Sequence, residues 1–137
     1  MVLVPAVEDG RVGIELTGEE IELLRAGVGR WSGPTQLTDG FAAAMGFSGV
    51  PDSREQRQRI ESLLREGSAL LPIDWARALV ATELAFVSDA VGDGVEWGTI
   101  TGIRDEEAIR TLRSVQRKLA RVTRSLIRSG LGVRPGA

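Results

Sequence analysis

The segment 74–91 constrains this chain most. Trp75, Leu79, Val80, Leu84, Phe86 and Val87 recur there at helical spacing and cover more than half of the helical wheel. Only Arg77, Ala81 and Ser88 leave a narrow strip for solvent. A helix that is apolar nearly all round must be enclosed nearly all round. It needs other helices about it, and the rest of the chain supplies them.

Thr17-Gly18-Glu19-Glu20 is a capping box, with a hydroxyl at the N-cap and a carboxylate three residues on. Ile21, Leu24 and Val28 follow it, and Gly29 ends a helix over 18–29. Thr35 is placed to cap a short second helix through Leu37, Phe41, Ala44 and Met45 to Gly46. Asp52 or Ser53 opens a third, to Glu66, whose apolar stripe is thin: Ile60, Leu63 and Leu64. The pairs Glu55–Arg59 and Glu61–Arg65 lace its other faces at i,i+4, which marks a surface helix. The last helix covers 105–129, opened by Asp105, Glu106 and Glu107 against its N-terminal dipole and stopped by Gly130.

The expected fold is therefore one mostly α domain over 1–137, a four- to five-helix bundle. Helix 74–91 is its buried axis and 105–129 a long amphipathic wall. The ends, 1–10 and 131–137, are expected to be poorly ordered. Val12–Leu16 and Val95–Thr99 alternate weakly and either pair as a small two-stranded ribbon or stay irregular.

Composition removes whole classes of chemistry. There is no Cys and no His, so disulfides, thiolate nucleophiles, His general bases and His-ligated zinc are excluded together. No catalytic constellation stands in for them, and a non-enzyme is expected. Glu83 and Asp89 lie roughly 120° apart on one helix and do not converge as a carboxylate pair. Asp89, Asp93 and Glu96 fit no calcium-loop spacing, so neither metal nor cofactor is expected. The start carries no basic leader, and no run approaches the roughly 20 apolar residues of a membrane span. A cytoplasmic protein without membrane contact is expected. Sixteen arginines against one lysine suggest a GC-rich bacterial genome rather than a mechanism.

The formal charge of −2 hides an asymmetry: residues 1–103 carry −8 and residues 104–137 carry +6. The positive excess is ordered. Arg110, Arg113, Arg117, Arg121, Arg124 and Arg128 recur at three- and four-residue spacing. They lie about 170° around the helix from Leu112, Val115, Leu119, Val122 and Leu126. Burial of the apolar stripe turns the arginines outward as a basic ridge. The acidic side chains Glu19, Glu20 and Glu22, with Asp93, Glu96 and Trp97 of the glycine-rich loop, form the candidate partner-binding set. Trp97 is its possible aromatic anchor. Glu83 falls in the middle of the apolar face of 74–91. It is expected to be a buried structural acid held by an arginine, by the indole of Trp31 or Trp97, or by loop amides.

Leu37-Thr-Asp-Gly-Phe-Ala42-Ala-Ala-Met-Gly46-Phe-Ser48 resembles the first half of a helix-turn-helix. Gly49-Val50-Pro51 and the acids Asp52 and Glu55 depart from it where a recognition helix would begin. Two functions from different classes follow. The leading one is a non-catalytic module that binds a protein partner, an acidic immunity- or antitoxin-like protein or a homo-oligomer. The alternative is the DNA-binding regulator that the resemblance implies, using residues 37–59 and the arginine ridge on nucleic acid.

Overall fold

Thr17 caps the first helix as its sequence requires. Its hydroxyl accepts from the Glu20 N–H at 3.1 Å, and the Glu20 carboxylate accepts from the Thr17 N–H at 2.7 Å. The computed structural model describes residues 10–32, 38–91 and 105–128. Within them the helices are α1 (Gly18–Gly29), α2 (Asp39–Ala44), α3 (Val50–Glu66), α4 (Pro72–Val91) and α5 (Asp105–Arg128). A 3-10 turn, Arg30–Ser32, follows α1. The fold is a mostly α-helical bundle in which α4 touches α1, α5, α3 and the 3-10 turn.

Trp75 and Leu79 of α4 are buried, and small residues of the same helix are buried beside them. Ala78, Ala81, Thr82 and Ala85, like Asp74, are buried to 0–1% exposure, while Val80, Leu84 and Phe86 are partly buried. Small residues let α1 come close, and Gly27 of α1 is the reason it can. A Cβ built on Gly27 would lie 2.1 Å from the Thr82 hydroxyl oxygen and 2.5 Å from the Thr82 Cα. Ala81, expected on the solvent strip, therefore belongs to the core.

Two indoles fasten irregular chain onto this pair. Trp31 donates to the carbonyl of Ala81 at 3.1 Å, and Trp75 donates to the carbonyl of Val12 at 2.8 Å. Val12 and Leu70 exchange backbone hydrogen bonds of 2.7 and 3.2 Å as an isolated antiparallel bridge. Val12–Leu16 forms no strand, and Val95–Thr99 lies outside the described residues. Helices α3 and α4 start earlier than the sequence suggests. Val50 and Pro51 occupy the first turn of α3, where a missing N–H costs nothing, and Pro72 does the same for α4. Asp52 is consequently inside α3, where its carboxylate accepts from the Ser48 N–H at 3.0 Å. At the other end of the bundle, Ala108, Val115 and Leu119 of α5 are fully buried and Leu112 and Val122 pack beside them.

Candidate functional site

With Val115 and Leu119 buried against the bundle, the opposite face of α5 turns outward. Arg110, Arg113, Arg117, Arg121 and Arg124 are all exposed, and the side chain of Arg128 lies outside the described set. From Arg110 to Arg124 the ridge runs about 21 Å at the helical rise. Arg113 alone is tethered, donating to the Gln116 side chain at 3.3 Å. Among the described residues Arg110, Arg117, Arg121 and Arg124 have no ion-pair or hydrogen-bond partner. The acidic side chains among the described residues do not brace them. Ile109, with 49% exposure, stands one turn before Arg113 on the flank of the ridge.

The acidic candidates separate. Glu19 and Glu22 are exposed, and Glu22 pairs with Arg25 at 2.7 Å. Glu20 is only 3% exposed and cannot meet a partner. Its carboxylate is used inside: Lys118 donates to it at 2.6 Å, Ser114 at 2.5 Å, and the Thr17 N–H completes the set. Helical spacing put Glu20 beside Glu19 and Glu22 on paper, but the capping box turns its side chain back across α1 toward α5. Asp93, Glu96 and Trp97 lie outside the described residues.

Glu83 is a correction of the opposite kind. It is half-buried on the seam between α4 and α5, and its partner is the neutral amide of Gln116, which donates at 2.6 Å. The indole of Trp31 goes to Ala81 instead. Among the described side chains of α4 the fully buried acid is Asp74, at 0% exposure. One of its oxygens accepts from Arg59 at 2.9 Å and from Arg77 at 3.2 Å. Arg77 also donates to the Gly46 carbonyl at 3.0 Å and lies 4.9 Å from the centre of the Phe47 ring. Arg59 thus leaves the expected pairing with Glu55 and joins α3 to α4, whereas Glu61 does pair with Arg65.

Residues 39–66 do form two helices joined by a turn, and Gly46 at its centre has φ +93°, a conformation that favours glycine. Arg77 latches that turn onto α4. The outer surface of α3 mixes Arg54 and Arg65 with Glu55 and Gln58. The ridge of α5 does not extend this surface: α3 and α5 are separate neighbours of α1.

Three carboxyls are held below their ordinary range. For Glu20, burial acts upward, but the hydrogen bonds from Lys118, Ser114 and Thr17 outweigh it. Burial likewise opposes, and Arg25 and Arg65 overcome it, at Glu61. The Ser48 N–H is the main cause at Asp52. In each case the unfolded chain binds the proton more readily, so the stability gained is complete above the ordinary values, 4.5 for Glu and 3.8 for Asp. It is lost as pH falls through the lower folded-state values. The thermal midpoint should be flat from neutrality down to about pH 5 and drop below it. Glu20→Gln should flatten that drop, and a midpoint that rises on acidification contradicts the assignment.

A low pKa also makes Glu20 a weak base toward Ser114, although the two are hydrogen-bonded. Among the described residues no three acidic side chains converge where a metal ion could sit, and no helix is long and apolar enough to cross a membrane. Neither a family model, nor a curated protein, nor a solved structure matches this chain.

Proposed function

We propose that this protein is a non-catalytic, cytoplasmic protein-binding module whose contact surface is the arginine ridge of α5, and that it takes an acidic surface on a protein partner. The observation that carries this is the row of exposed guanidinium groups without a counter-charge among the described residues. The row is mounted on a helix whose other face is fixed in the core. Guanidinium groups present several donors in a planar fork and suit carboxylates in pairs. Ile109, on the flank of the ridge, supplies an exposed apolar contact beside it. The version in which the chain masks a basic partner through acids loses Glu20, which leaves Glu19 and Glu22 as its described members.

The helix-turn-helix outline of 39–66 favours a second reading, a DNA-binding regulator. It is the weaker one because α3 carries acids on its outer surface and does not share a face with the ridge. Charge reversal separates the two from a structural role. Arg117→Glu with Arg121→Glu should change stability by no more than about 0.5 kcal/mol, because both side chains are exposed and unpaired. The same double variant should abolish partner binding. Duplex DNA binding that depends on Arg54 and falls steeply with salt, by about 0.9 log units per log unit of salt for each phosphate contacted, moves the assignment to the second reading.

A further inference from the structure

Helices α1 and α3 run antiparallel: Arg57 meets Val28 near the end of α1, and Glu61 meets Arg25 one turn back. Between them lies an open groove of about 1210 Å³. Its charges are graded along its length. Arg54 and Arg57 stand at the end near Val28 and Gly29. The Arg25–Glu61 pair, at 3.0 Å, marks the middle, and Glu19 and Glu22 mark the far end, where Arg65 also lines the groove with its charge taken up by Glu61.

Arg57 is the anomaly. It is 4% exposed, yet among the described residues no carboxylate pairs with it. Its Nε donates to the Ser53 hydroxyl at 2.8 Å and its Nη1 to the Val28 carbonyl at 3.3 Å. Among the described residues its Nη2 has no hydrogen-bond partner, and it is not a sealed atom, so this edge of the fork meets the groove. Burial weakens its hold on the proton, and the charge that adds to this is Arg54, of the same sign. The carbonyl end of α1 offers roughly half a negative charge, which offsets a buried guanidinium only in part. The acids of the groove are engaged elsewhere or distant. Glu61 holds Arg25 and Arg65, Glu22 holds Arg25, and Glu19 lies about 13 Å along α1 from Val28 by helical rise. A neighbouring arginine pair with one member desolvated and a free donor edge lacks one thing, an anion.

We infer that the Arg54–Arg57 end of the α1–α3 groove binds the oxyanion of a ligand, a phosphate or carboxylate group, with Arg57 as the buried anchor and Arg54 closing over it from solvent. This site is independent of the ridge and lies on a different helix. The groove is much larger than one oxyanion, so the group is the terminus of a longer molecule that extends toward Glu22. A cationic or hydrogen-bond-donating far end suits it.

The test is a titration of the full-length, nitrogen-15-labelled protein at constant ionic strength, following the arginine Nε–H resonances. One arm uses inorganic phosphate and the other acetate, each against chloride. Saturable millimolar shifts of Arg57 and Arg54 are expected in at least one arm, and the arm that responds names the ligand's anionic group. Arg57→Gln risks the packing of α3 on α1, so Arg54→Gln is the informative variant. It should fold normally and bind at least about tenfold more weakly, as loss of a charge-assisted bond implies. Arg117→Gln with Arg121→Gln should leave the affinity unchanged. No saturable response at Arg57 in either arm overturns the site. So does equal affinity in Arg54→Gln, or a response shared evenly with the ridge arginines.

Discussion

Gly27→Ala is expected to cost about 3 kcal/mol or more, although alanine is the better helix former by up to about 1 kcal/mol. The new methyl group would sit 2.5 Å from the backbone of Thr82, so a rotamer change cannot relieve it and α1 must move away from α4. Overpacking of this kind displaces the small-residue contact that positions both helices, and every core residue between them loses its fit. On thermal unfolding the loss corresponds to roughly 10 °C for a chain of this size. Gly29, two residues on, is the control: a Cβ there meets nothing within 4 Å. Gly29→Ala should be neutral or stabilising. Equal stability of the two variants would mean that α1 and α4 are not in close contact at Gly27.

Glu20→Ala is expected to cost about 2–4 kcal/mol. It removes the capping carboxylate of α1 and the acceptor shared by Lys118 and Ser114 in one step. Lys118 is 36% exposed and regains water, which keeps the cost below that of a fully buried charge. Glu83→Ala, by contrast, should cost less than about 1 kcal/mol, because Glu83 is half-buried and loses one hydrogen bond from Gln116. Chemical denaturation of both variants reads this directly. A larger loss at Glu83 than at Glu20 would reverse the assignment of the structural acid. The ridge depends on the same link, since Lys118 and Ser114 orient α5 against α1.

That pair of glutamates shows where the sequence stops being legible. Helix locations were readable, because capping boxes, apolar periodicity and terminal glycines are local signals. The central place of 74–91 and the outward face of the α5 arginines followed from periodicity as well. Depth within the bundle did not. The wheel locates the apolar face of α4, where Trp75 and Leu79 are buried, but close packing on α1 shifts the deepest part of that face toward Ala78, Ala81, Thr82 and Ala85, small residues that carry little apolar signal in sequence. Glu83 was misplaced for that reason. Asp74 looked like a helix-opening acid and proved to be a buried link that joins Arg77, three residues on in the same helix, to Arg59 of α3, a partner from another helix that local spacing does not reveal. Arg57 had a signal that was available: stepping back from Leu64 and Ile60 at helical spacing lands on Arg57 and then Ser53, both buried. A charged residue continuing an apolar stripe is the pattern to look for.

The most direct measurement compares what the wild-type chain and the Arg117→Glu, Arg121→Glu chain retain from nuclease-treated lysate at moderate salt, with equal folding of the two established first by thermal unfolding. One stoichiometric polypeptide held by the wild type and lost on charge reversal is the predicted result. Equal retention by both chains, or retention of nucleic acid alone when nuclease is omitted, would contradict a protein-binding ridge.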